Sequence, residues 1–111
     1  MNMRFSSTKL RKQCNNERLL VKKMGVDRAK RLRRRLDDLK AAVCLEDLRN
    51  IPGRLHEMTG DRAGQLSLDL DHPYRLFFVP DHDPVPRKSD GGVNWSEVTA
   101  VEIIGIGDPH E

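Results

Sequence analysis

The chain has 111 residues, 33% of them charged and 37% hydrophobic, which is enough for one domain, 1–111, around one modest core. No apolar run approaches the roughly 18 residues that suggest a membrane-spanning helix, and the opening MNMRFSSTKLRKQ lacks the apolar segment of a secretory signal, so the expected compartment is the cytoplasm. The net charge of +3 conceals an asymmetry: residues 1–50 carry 15 Lys and Arg against 6 Asp and Glu, residues 51–111 carry 5 against 11. That balance suits either a basic face for RNA opposite an acidic remainder or a pair of well-solvated helices.

In chain order, Met3 to Ser6 reads as a short first strand. Ser6, Ser7 or Thr8 can cap a helix reaching about Met24, with Gly25 as its stop. Leu10, Cys14, Val21 and Met24 share one face of it, with Leu20 beside them. Asp27 is the expected N-cap of a second helix, to about Ala42. Its inner stripe is Ala29, Leu32, Leu36, Leu39 and Val43, and arginines fill the other faces. Cys44 to Gly53 is a connector with one helical turn that buries Leu45 and Leu48, ended by Pro52-Gly53. Cys14 and Cys44 match neither a disulfide framework nor metal-ligand spacing, and read as small apolar residues in a reduced protein.

Residues 54–79 read as a three-stranded antiparallel meander. From Gln65 to Asp71, Leu66, Leu68 and Leu70 alternate with Ser67, Asp69 and Asp71, the period of a strand with one buried face. Tyr74 to Val79 is aromatic and β-branched, as a central strand is. Residues 60–64 and Asp71-His72-Pro73 supply the turns. A surface loop of roughly 18 residues follows, longer than most loops inside compact domains, with Trp95 pinning it to the body. Val98 to Ile106 closes the sheet. The expected architecture is α+β: two N-terminal helices packed on a curved, mostly antiparallel mixed sheet of four to five strands.

Within this frame, GDRAGQLSLDLDHPYRLFF closely resembles the "killer protein" toxins of bacterial toxin–antitoxin pairs, the HigB branch of the RelE/ParE-like superfamily. The similarity runs from MRFSS through the helices to the closing GDPH. It implies a RelE-like fold and a ribosome-dependent mRNA endoribonuclease that works by 2′-OH attack on the adjacent phosphate, without metal or cofactor. It also implies binding at the ribosomal A site, and neutralisation by a helix-turn-helix, HigA-like antitoxin through which alone operator DNA is reached. Two alternatives stay open: a ParE-like gyrase poison on the same fold, and a catalytically weakened toxin that mainly binds its antitoxin.

RNA cleavage of this kind needs a base for the 2′-OH, an acid for the leaving oxygen and cations for the phosphate. Histidine and arginine suit those tasks. His56 precedes the Thr59-Gly60-Asp61 turn, where the resemblance implies an active-site histidine. Arg75 is a lone arginine in an apolar strand and needs a partner or a purpose; the resemblance implies a phosphate contact. Asp108 and His110 match the Asp and final His of the family's D-Y-H ending, but Pro109 replaces the tyrosine, and Thr59 stands where some relatives have lysine. Arg54 and Arg62 can supply the missing charge. Arg31, Arg34 and Arg35 of the second helix are the expected RNA-backbone contacts. His72 reads as an exposed turn residue, and His82, between Asp81 and Asp83, matches no metal-site spacing.

Overall fold

The computed structural model describes residues 1–110. It is an α+β fold in which three helices pack on one five-stranded mixed sheet. The elements run β1 (Asn2–Phe5), α1 (Thr8–Cys14), α2 (Glu17–Met24), α3 (Val26–Ala41), β2 (His56–Glu57), β3 (Leu66–Asp69), β4 (Arg75–Pro80) and β5 (Ala100–Gly107). Strand order is β1-β5-β4-β3-β2, with β1 parallel to β5 and every other pairing antiparallel. The meander β2-β3-β4 is present, although β2 is only two residues long.

The expected first helix is two helices. Asn15 and Asn16 interrupt it, and the Asn16 side chain accepts from the Leu19 N–H at 3.1 Å, capping a new helix instead of continuing the old one. Ser7 caps α1 in the same way, accepting from Leu10 N–H at 3.0 Å. Helix α3 starts from Gly25, not from Asp27, which lies in its first turn. It ends at Ala41, because Ala42 is extended (φ −68, ψ 142). Val43 therefore leaves the helical stripe and is 78% exposed, while Ala29, Leu32, Leu36 and Leu39 are buried as expected.

The core lies between the helices and one sheet face. Leu66, Leu68, Leu76, Phe78, Val101 and Ile103 meet Leu20, Leu32 and Leu39 there. Leu45 and Leu48, on a 3-10 turn, close one end. A bulge between Phe77 and Phe78 offsets the β4–β5 register, a device that bends a strand and re-aims its side chains. The long loop after β4 is tied down rather than free. Glu57 accepts from Val93 N–H and from Trp95 Nε1–H, both at 3.2 Å, and the Arg49 guanidinium lies 4.4 Å from the Trp95 ring centroid. His82 Nε2 accepts from Thr99 N–H at 3.0 Å, a second clasp on the same loop. Both cysteines are free thiols, and burial pushes the Cys14 thiol up to about 11.

Candidate functional site

Register decides which side chains share the sheet's other face. His56 pairs with Ser67, Ser67 with Phe77, and Asp69 with Arg75, so these residues stand together opposite the core face of Leu66, Leu76 and Phe78. An open cleft of about 570 Å³ lies on this side, lined by Met58, Thr59, Asp61, Arg62, Gln65, Arg75, Pro109 and His110. Three residues marked in the sequence, Arg62, Arg75 and His110, thus come to one place from a loop, a strand and the tail. Pro109 lines the cleft beside His110, so the proline does not carry the chain away from it. The Asp108 carboxylate accepts from the His110 backbone N–H at 2.9 Å, closing the turn that presents the histidine.

His56 is exposed and does not line the cleft. It lies two residues before Met58, whose N–H donates to the Gln65 carbonyl and prolongs the β2–β3 pairing. Two residues of strand span about 6.7 Å, so His56 is one side-chain step along the same face.

Arg75 has both a partner and an open side. Its Nε lies 3.5 Å from Asp69 Oδ1, its Nη1 lies 3.7 Å from the Met58 sulfur, and its side chain keeps 18% exposure. Arg54 approaches the other Asp69 oxygen at 3.1 Å. Arg54 reaches there from a left-handed backbone (φ 46), unusual for a residue with a Cβ, directly after Gly53 at φ 115. Asp69 N–H donates to the Gly53 carbonyl at 2.6 Å, fixing that turn against β3.

Arg35 departs from its expected place among RNA contacts. It is a buried residue, 6% exposed, and its Nε donates to the Asp69 carbonyl at 3.0 Å while Nη1 meets Asp38 at 3.4 Å. The physical reason is its place beside Leu32, Leu36 and Leu39 on the packed face of α3, where a charge survives only if fully hydrogen-bonded. Gly53 lies against it: a Cβ there would stand 2.8 Å from Arg35 Nε. Arg31 and Arg34 are exposed and, with Asp27, Lys30 and the edge of Arg35, line a separate groove of about 280 Å³.

Asp69 was not singled out from the sequence, yet it joins these parts. Its carboxylate holds Arg54 and Arg75, and its carbonyl holds Arg35, so it links an arginine of the sheet cleft to one at the edge of the α3 groove. The available signal was its place on the polar phase of the Leu66–Leu70 alternation, opposite Arg75. Next to it, Arg28 makes a two-pronged contact with Asp71 (2.8 and 3.1 Å) and lies 3.4 Å from the Tyr74 ring centroid. That hydrogen-bonded guanidinium holds the Asp71 carboxyl below the usual range.

The fold and cleft together define a small α+β domain with arginines and a histidine gathered on an open sheet face. Compared with known proteins, the chain matches no family model and no curated protein.

Proposed function

We propose that this chain is the toxin of a type II toxin–antitoxin pair, a RelE-like, HigB-type endoribonuclease that cleaves mRNA on the ribosome. The observation that carries the reading is the convergence of Arg62, Arg75 and His110 on one open cleft. Their chemistry matches the needs of phosphodiester cleavage. The ribose 2′-oxygen bonds to the adjacent phosphorus, the bond to the 5′-oxygen breaks, and the 2′ proton must leave as the 5′-oxygen gains one. Arg75 and Arg62 offset the charge gathering on the phosphate. His110, carried on a turn that Asp108 closes through the backbone, is the group that moves a proton at the leaving or attacking oxygen, and His56 is the second proton carrier of the same face. The nucleophile is internal to the substrate, so positioning supplies much of the rate. Arg54 extends the charge of the cleft, and Arg31 and Arg34 with Lys30 offer a second basic surface for ribosomal RNA.

A helix-turn-helix, HigA-like antitoxin is the proposed partner. One observation favours the rival reading of a weakened toxin: Arg75 is already engaged by Asp69, and Pro109 offers no aromatic ring to the cleft. Induction without antitoxin followed by primer extension tests the proposal. Truncated messages should appear before any change in plasmid supercoiling. Intact messages alongside accumulating gyrase-linked DNA breaks would overturn the nuclease in favour of a gyrase poison.

A further inference from the structure

Phe77 is 2% exposed, yet it stands outside the hydrophobic core, on the sheet face that carries Ser67 and His56. Arg62 lies over it, its guanidinium carbon 3.9 Å from the ring centroid. Arg62 Nη1 donates to Gln65 Oε1 at 3.0 Å, which limits rotation of the planar group. Among the described residues, Arg62 makes no ion pair. The guanidinium is thus backed on one side by a buried aromatic ring, while Arg62 itself lines the cleft that holds Arg75 and His110.

From this geometry we infer that Arg62, backed by Phe77 and steered by Gln65, is a stacking platform for one unstacked nucleobase of single-stranded RNA. A guanidinium plane takes a base face to face as an aromatic does, and its charge adds attraction to the base π-system and the flanking phosphate. A lysine in the same place would keep the charge and lose the plane. The ring beneath pre-orders the arginine, so little rotamer freedom remains to be lost on binding. Gln65 accepts with Oε1 and keeps its amide N–H groups for the edge of the stacked base. Arg75, in the same cleft, contacts the phosphate directly, and Arg62 adds its positive charge from beside it. Pro109 offers the cleft no ring on which a base could stack, and Arg62 supplies that surface instead; the platform rests on the ribonuclease reading for the source of its RNA.

The test uses the full chain and a short single-stranded RNA carrying 2-aminopurine, whose fluorescence falls when the base stacks. Wild-type protein should quench it, and Arg62→Lys should lose the quench and bind about 5- to 150-fold more weakly, the loss of one stacked base. Phe77→Leu, which keeps bulk but removes the ring, should lose quenching too, with far-ultraviolet circular dichroism confirming that it folds. No quenching by wild type, or full quenching by Arg62→Lys, overturns the platform. Message cleavage in a translating extract is read in parallel. Cleavage by wild type without quenching sinks the platform and leaves the nuclease; quenching without cleavage supports the platform and sinks the nuclease.

Discussion

Truncating Arg75 to alanine separates chemistry from structure at the centre of the cleft. Were Arg75 the sole partner of a buried carboxylate, its removal would cost roughly 3–5 kcal/mol by stranding a charge. Asp69 is not in that position: its side chain is 33% exposed, and Arg54 remains 3.1 Å away after Arg75 is gone. The lost pair is 3.5 Å long and partly solvated, which places its contribution at ~0.2–1 kcal/mol. Lost packing of the arginine stem against its neighbours adds about 1 kcal/mol. The sum, about 1–2 kcal/mol, corresponds to a fall in Tm of about 4–8 °C for a domain of this size. A domain with a stability of about 5–15 kcal/mol stays folded through such a loss. Removing one charge-stabilising donor from a reacting phosphate, by contrast, costs about a hundred- to thousand-fold in rate. Paired measurements of thermal melting and message cleavage in a translating extract make the comparison. A Tm drop beyond about 12 °C refutes the shared-carboxylate reasoning, and undiminished cleavage removes Arg75 from the chemistry.

Gly53→Ala should destabilise by about 2–5 kcal/mol, since it places a side chain at φ 115 and pushes a Cβ onto Arg35 Nε, breaking a charged hydrogen bond; a urea midpoint within error of wild type contradicts the packing. The Asp71 carboxyl is depressed by Arg28 from its ordinary 3.8, so its stabilisation is fully present above about pH 4 and is lost as pH falls through the folded value. Acid titration of the urea midpoint should therefore fall less steeply for Asp71→Asn than for wild type, and equal slopes would dismiss the pair. Glu57→Ala should cost about 1–3 kcal/mol and red-shift the emission of Trp95, the only tryptophan, by releasing the loop it anchors; unchanged emission would show that the loop holds without it. Pro109→Tyr should raise message cleavage by returning an aromatic to the cleft, and deletion of residues 109–111 should lower it; a deletion without effect leaves His56 and the arginines to act alone.

Much of the architecture was legible because it follows from local pattern. The leucines of the Leu66–Leu70 alternation, the aromatic run of β4 and the leucine stripe of α3 are buried as their patterns require, but Ser67, on the phase expected to be wet, is buried as well because the sheet's other face is covered there. The errors arose where a side chain competes with the backbone. Asn16 reads as a tolerable helix residue until its carboxamide is seen capping Leu19, and Gly25 ends one helix while starting the next. The site divides along the same line. Arg75 stands out because an arginine among apolar neighbours demands a reason, but its face follows only from its pairing with Asp69. Arg35 looked like its exposed neighbours, since periodicity places a side chain on a face without saying how far that face is covered. Asp69 and the Arg62–Phe77 stack depend on residues brought together by strand register and by a loop, which no spacing along the chain reveals.

The strand order carries a consequence for the timing of assembly. β5 is made after both of its neighbours, yet it sits between β1 and β4, pairing with β1 through residues 100–103 and with β4 through residues 101–107. Until residues 100–107 emerge, β1 has no partner and the central strand β4 presents a bare edge of unmade hydrogen bonds. The helices and the meander rest on contacts close in sequence, but Arg75 and His110 line one cleft only once β5 has paired. During synthesis the cleft therefore stays open and incomplete, and a chain released before residue 100 has the arginines without the tail that would use them.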